Sequence, residues 1–370
     1  MGENMKASDS QVSIFKKFLN KFFMPKTPII KENTFIVWEP CSKSHAEVVP
    51  GYVKYLLDLG YHVSVLVNPA RLREGLFDRF QNENISLNKL SKRQIKNFFK
   101  KSDLKDVKGV LVTTVGKLCD EVDFNKAYNA FNENVDKSKL YFVSHEAKPG
   151  VDAGTWHENL ITLRKLNYKN AKSTVINPHY FGDVKILPKN KITNFVMVGA
   201  IRPHRKNENT IIEAVKDLVL NNEKKFKITI IGKGEIKYVP YWMKDYFVVK
   251  GRLSFRKMYD ELEKADFLLT SYDEDNIAHQ RYNTTGTSGN FQLSYGFLKP
   301  CLIIKSFAPL NNFDENNALL YEKPINYSDA MVAAMYMTDE EYSTMQNNLK
   351  ATADSIYKES LENFKRLING

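Results

Sequence analysis

The chain has 370 residues, 43% of them apolar and 26% charged, with no low-complexity run or fixed-period repeat, which is enough for two α/β domains that each bury a core. Its net charge of +11 attracts polyanions such as nucleic acid, anionic lipid headgroups or a phosphorylated acceptor without choosing among them. Three widely spaced cysteines, Cys41, Cys119 and Cys301, argue against a disulfide framework or a zinc site, and no apolar run long enough for a spanning helix or a signal-peptide core is visible, so a cytoplasmic protein is expected.

Residues 11–25 carry apolar side chains at 15, 18, 19, 22 and 23, with Lys16, Lys17 and Lys21 largely elsewhere around the turn and Pro25 at the end. The spacing predicts an amphipathic helix, either in the plane of an anionic membrane surface or packed on its own domain. A strand over 33–38, a helix over 48–59 closed by Gly60, with Pro50 tolerated in its first turn, and a strand over 62–67 make a β-α-β unit. Further strands over 109–114, 140–144 and 173–176, with helices over 93–101 and 124–134 between them, imply a parallel sheet. The lysine-rich stretch 183–193 reads as a linker. Beyond it the alternation repeats: strand 195–198, helix 208–220, strands 227–231 and 247–249, helix 255–264, strand 267–270, helix 290–297, strand 301–304 and a mostly helical 339–368.

Three glycine-punctuated strand ends in this second half suit a phosphate. Gly199 is followed by Arg202, Arg205 and Lys206 on a turn into a helix, and Arg202 and Lys206, four apart, share a face if that turn is helical. Gly232-Lys233-Gly234 ends the next strand, and Thr287-Ser288-Gly289-Asn290 opens a helix whose unpaired N–H groups and dipole favour an anion. Arg252, just after Gly251, either reaches the same phosphates or caps a strand. The plain alternative for the first turn is a solvated basic loop.

These residues resemble the glycosyltransferase family 4 group and its relatives with the GT-B architecture. The resemblance rests on Gly199 followed by Arg202 and Lys206, on Gly232-Lys233-Gly234, on Gly251-Arg252, on the segment from Ala265 to Tyr272, and on Leu298-Lys299-Pro300. It covers the second half of the chain well and the first half in outline. It implies an α/β fold of two Rossmann-like domains facing across a cleft, with the C-terminal helix crossing back to the first domain. The expected division is a segment 1–30, an acceptor domain 31–188, a nucleotide-sugar domain 189–345 and a C-terminal helix 346–370.

The chain departs from the family at the last loop, where the two glutamates that many members carry would fall at Thr285 and Leu293. That matches a subgroup with Ser-Gly at this loop, and leaves a ribose contact to Glu274 or Asp275 in the acidic turn after Tyr272. The resemblance implies transfer from a nucleotide-diphosphate sugar, a UDP or GDP sugar, to a carbohydrate acceptor, lipid-linked or part of a cell-surface polysaccharide, with retained configuration. The expected donor contacts are Arg202, Lys206, Gly232, Arg252, Tyr272, Asp275, Thr287, Ser288, Gly289 and Asn290. His145 and Glu146 after the strand 140–144, and His45 with Glu47 in the first strand-to-helix loop, are the candidate catalytic or acceptor-side groups.

No cofactor and no metal is expected, since fixed cations and backbone N–H groups stabilise a leaving diphosphate unaided. Asp273-Glu274-Asp275 offers a carboxylate pair for a hard cation or an exposed acidic turn. His157 and His179 read as packing or loop residues. The three-glycine dinucleotide signature, a Walker loop and an RNA-binding aromatic signature are missing, which argues against hydride transfer, ATP hydrolysis by that route and nucleic acid as a partner. The rival reading is a non-catalytic polysaccharide- or nucleic-acid-binding protein with a degenerate transferase fold.

Overall fold

A computed structural model of the chain describes residues 27–41, 45–115, 131, 135–154, 156, 160–200, 208–234 and 239–370. The amphipathic stretch 11–25, most of the helix expected over 124–134 and His157 lie outside these.

Apolar, largely β-branched runs become the inner strands of two parallel sheets. The first contains β1 (Thr34–Trp38), β2 (His62–Leu66), β3 (Ile85–Asn88), β4 (Gly109–Val115), β5 (Leu140–Ser144), β6 (Leu160–Thr162) and β7 (Thr174–Val175), in the order β3-β2-β1-β4-β5-β6-β7. The second contains β8 (Thr193–Val198), β9 (Phe226–Ile231), β10 (Phe247–Gly251), β11 (Phe267–Leu269), β12 (Cys301–Ile304) and β13 (Leu319–Tyr321), in the order β10-β9-β8-β11-β12-β13. Each sheet starts in its middle, grows to one edge, then returns to grow the other way. The switch points, where such sheets take ligands outside the carboxyl ends of their strands, lie between β1 and β4 and between β8 and β11.

The alternation along β1 shows why both faces of the first sheet need cover. Phe35 and Val37 enter a core with Val49, Tyr52 and Leu56 of helix α1 (Val49–Asp58), while Ile36 enters a second core with Phe98 and Phe99 of helix α2 (Lys92–Lys101). Pro50 sits in the first turn of α1, where its missing N–H costs nothing. Ser91 and Gln94 form a capping box that starts α2. In the second domain, α3 (Glu208–Leu220), α4 (Phe255–Lys264), α5 (Gly289–Phe297) and α6 (Tyr327–Tyr336) surround a core containing Phe195, Ile228, Phe267 and Leu302. Strands β3, β6 and β13 and helix α6 had no counterpart in the expected elements.

Helix α7 (Asp339–Asn369) opens on a capping box between Thr338 and Glu341 and runs unbroken for 31 residues. Leu349 is buried in the second-domain core, whereas Phe364 is buried in the first-domain core that takes Phe35, and lies edge-on to that ring. Between them, one turn before Phe364, Ser360 accepts a hydrogen bond from the backbone N–H of Asn177 at 3.0 Å. The helix therefore crosses from the second domain to the first, as the resemblance implied. Among the described residues no helix is long and apolar enough to cross a membrane.

Ion pairs fasten one edge of the cleft. Arg79 of the first domain reaches Asp260 at 2.7 Å and also pairs with Glu263, both on α4. Arg256 on the same helix pairs with Asp78, and Arg252 reaches Glu74 at 3.0 Å.

Candidate active site

The first-domain wall of the cleft is built around a buried carboxyl group. Glu39 follows β1 directly, is only 3% exposed, and accepts hydrogen bonds from the Cys41 N–H at 2.6 Å and from the hydroxyls of Thr113 at 2.6 Å and Thr114 at 2.7 Å. Consecutive strand residues ordinarily point to opposite faces. Here the β4–β5 register slips between Val112 and Val115, and this bulge turns both threonines toward one carboxyl group. Burial pushes the Glu39 carboxyl up to about 8, against the pull of the threonine hydroxyls.

The same bulge seats His145. Its Nε2 lies 3.0 Å from the carbonyl oxygen of Thr113. A carbonyl only accepts, so Nε2 carries the proton and Nδ1 is left as an acceptor. Burial, and then the neighbouring His45, push His145 down to about 3, so the ring is neutral. The His45 ring centroid is 4.5 Å away, and His45 holds a left-handed backbone with φ of 69°. Such strain in a residue other than glycine collects at functional sites. Glu47, two residues on, is half-buried, with its carboxyl raised by burial.

On the second-domain wall, β8 and β9 end side by side at Gly199 and Gly232. A Cβ at Gly232 would collide with the Gly199 carbonyl, so glycine is required for these two turns to close up. The helix start read from the sequence is at the next switch-point loop: Ser288 caps α5 by accepting from the Asn290 N–H at 3.3 Å. The Tyr272 hydroxyl, buried and held neutral by that burial, bonds Ser288, and the Tyr272 ring packs against Tyr282, Phe291 and Phe307. The Thr287 hydroxyl oxygen is buried with no hydrogen-bond partner among the described residues.

The two walls face each other at Gly289. A Cβ built there would stand 3.8 Å from Glu47 Oε1, so the N-terminus of α5 opens onto the first-domain loop that carries His45 and Glu47. Glu146 is drawn into the opposite edge. It bridges to Gly286 through the backbone, pairs with Arg281 at 2.8 Å and takes a hydrogen bond from the Thr285 hydroxyl at 3.4 Å.

The remaining expected contacts that the structure describes have partners of their own. Arg252 is 44% exposed and held by Glu74 of the first domain. Asp275 is exposed, its N–H donating to Asp273 Oδ1 in a local turn. Arg202 and Lys206 lie outside the described residues. His179 is buried where α7 passes between the domains and is pushed down to about 4 by that burial. Among the described residues no group of three or more His, Cys, Asp or Glu is arranged to hold a metal ion.

Glu39, Thr113, Thr114, Arg164 and Arg281 were not among the residues expected at the site. The one local signal is the polar pair Thr113-Thr114 at the end of an apolar strand.

No protein-family model matches the sequence, and comparison with curated proteins gives no match. Among solved structures, the chain is similar to AviGT4, a glycosyltransferase involved in avilamycin A biosynthesis, at 11% identity and a TM-score of 0.53 over 91% of this chain and 98% of that one. It is also similar to the glycotransferase of kitacinnamycin, at 12% identity and a TM-score of 0.49 over 92% of this chain and 100% of that one. A third similar structure is WaaG, a glycosyltransferase involved in lipopolysaccharide biosynthesis, at 12% identity and a TM-score of 0.47 over 91% of this chain and 99% of that one. The likeness to AviGT4 and the strand order of the two sheets show the fold, an α/β pair of Rossmann-like domains facing across a cleft in the GT-B arrangement.

Proposed function

We propose that the chain is a glycosyltransferase that moves a sugar from a nucleotide-diphosphate donor, a UDP or GDP sugar, to a carbohydrate acceptor that is lipid-linked or part of a cell-surface polysaccharide. The observation that carries this reading is the N-terminus of α5, capped by Ser288 and opening across the cleft toward Glu47. Such an end presents N–H groups and a positive dipole to an anion, and here it does so at the ligand-binding edge of a parallel sheet.

In the proposed reaction the bond from the sugar C1 to the β-phosphate oxygen breaks and its electron pair stays on that oxygen. A bond from C1 to an acceptor hydroxyl oxygen forms, and the acceptor proton passes to the leaving phosphate, the front-face route that goes with retention. Charge growing on the diphosphate is met by the amides at the start of α5 and by Arg202 and Lys206, without a metal. The Nδ1 of neutral His145 accepts a hydrogen bond from a sugar hydroxyl, and Glu47 and His45 line the acceptor side. The enzyme works in the cytoplasm, peripheral to the inner face of the cell membrane through the 11–25 segment.

A thermal-shift series with UDP, GDP, ADP and CMP sugars tests the donor class, because a ligand of the folded state raises its midpoint. One nucleotide should stabilise the chain, and the Arg202→Ala/Lys206→Ala double variant should lose that stabilisation and the release of nucleoside diphosphate. An unchanged shift in the double variant would refute the assignment.

A further inference from the structure

The loop that leads into α5 belongs to the second domain, yet its carbonyl groups are bonded by the first. Arg164, two residues beyond β6, sends Nε to the Gly286 carbonyl at 3.0 Å and Nη2 to the carbonyls of Gly286 at 2.6 Å and Tyr282 at 2.8 Å. The backbone N–H of Asn167 bonds the Thr284 carbonyl at 3.0 Å, and that of Ala147 bonds the Thr285 carbonyl at 2.7 Å. First-domain donors thus take four carbonyls between Tyr282 and Gly286, just before the Ser288 cap. Arg164 is only 4% exposed, and no described carboxylate pairs with it. Burial alone pulls the guanidinium down to about 10, which leaves it charged at neutral pH.

A buried cation without a counter-ion is an unfavourable way merely to fasten a loop. It is well suited to a loop whose next element receives an anion. The charge adds to the positive end of α5, and the planar fork fixes the path by which the chain enters the helix.

We propose that Arg164 is a positioning residue for the nucleoside-diphosphate seat, a first-domain side chain that shapes the 281–288 loop and so presents the α5 N-terminus only while the two domains are docked. The inference rests on reading that helix end as the donor site. It makes donor affinity a property of the docked pair, because the second domain does not hold this loop by its own contacts alone.

The test is isothermal titration of the full chain with UDP and GDP, comparing the wild type with Arg164→Met and Arg164→Lys, each with its ligand-free thermal midpoint and its amide exchange at Gly289 and Asn290. The Met variant should bind the preferred nucleotide about tenfold more weakly or worse, as expected for losing a charge-assisted hydrogen-bonding group, and exchange those amides faster; Lys, which keeps the charge without the fork, should fall between. A lower midpoint with unchanged affinity and exchange would make Arg164 a structural clamp only and overturn the proposal. Should the Met variant not fold, a Lys variant matching the wild type in affinity and exchange overturns it equally. A wild type that binds neither nucleotide removes the donor-site reading first, and this inference with it.

Discussion

Replacing His145 by Gln should remove part of the protein's sensitivity to acid. The native ring titrates near 3 against an ordinary 6.5, held down by burial and then by His45, so between those values the folded chain binds fewer protons than the unfolded one. The stability His145 contributes is therefore complete above pH 6.5 and is lost as pH falls toward about 3. At pH 5.0 the unfolded histidine is almost fully protonated, which favours unfolding by about 2 kcal/mol. His179, pushed down to about 4, adds a similar loss. Glu39 acts in the opposite sense. With its native carboxyl near 8 against 4.5, it stabilises fully below pH 4.5 and loses that stabilisation as pH rises through 8, which returns roughly 2–3 kcal/mol between pH 7 and 5. Comparing the two proteins isolates His145: over that interval the Gln variant, whose amide can still donate to the Thr113 carbonyl, should fare better than the wild type by about 2 kcal/mol. Urea unfolding of both proteins at pH 7.0 and 5.0 measures the difference. Equal losses would show that His145 is not the buried neutral ring described above, and the acceptor role given to its Nδ1 would fall.

Substitutions at three further positions probe the cleft. Arg79→Met leaves Glu263, 7% exposed, facing Asp260 without its cation, and should lower stability by about 3 kcal/mol, whereas Arg256→Met, at a pair whose arginine is 62% exposed, should cost under about 1 kcal/mol. Urea midpoints of the two variants compare them directly, and equal costs would contradict the burial argument. Ser288→Ala removes the cap of α5 and the partner of the Tyr272 hydroxyl, an expected loss of about 1–2 kcal/mol that Ser288→Thr should largely recover, read from the thermal midpoint.

The elements legible in the sequence were those with a local signature. Leu140–Ser144 and Cys301–Ile304 are short apolar β-branched or aromatic runs between polar residues, and both strands begin and end where that pattern does. Glu208–Leu220 and Phe255–Lys264 bury one face at helical spacing and were equally readable. Leu160–Thr162 and Leu319–Tyr321 are three residues each, too short for any period to emerge, and become strands only because β5 and β12 offer a free edge. The start of α5 was visible because Ser-Gly-Asn before an apolar run is a local helix start, and the structure adds that Ser288 is its cap. Glu39 was not, because its threonine partners are 74 and 75 residues away and reach it only through a bulge.

Distance along the chain also decides what each charge in the cleft does. Arg252 follows a glycine at a strand end, the pattern of a phosphate ligand, yet its partner is Glu74, 178 residues earlier. Arg164 carries no such pattern, and its guanidinium meets carbonyls 118 and 122 residues later. These contacts link the domains, so the two walls of the cleft are not independent surfaces. His145 and Glu146 are adjacent residues: one hangs from the Thr113 carbonyl of the first sheet, and the other grips Arg281 in the loop before α5. A shift of that loop is therefore transmitted to the histidine through a single peptide unit. The separation between the helix end and His145 is set by domain docking, and a substitution that loosens docking should disturb both walls together.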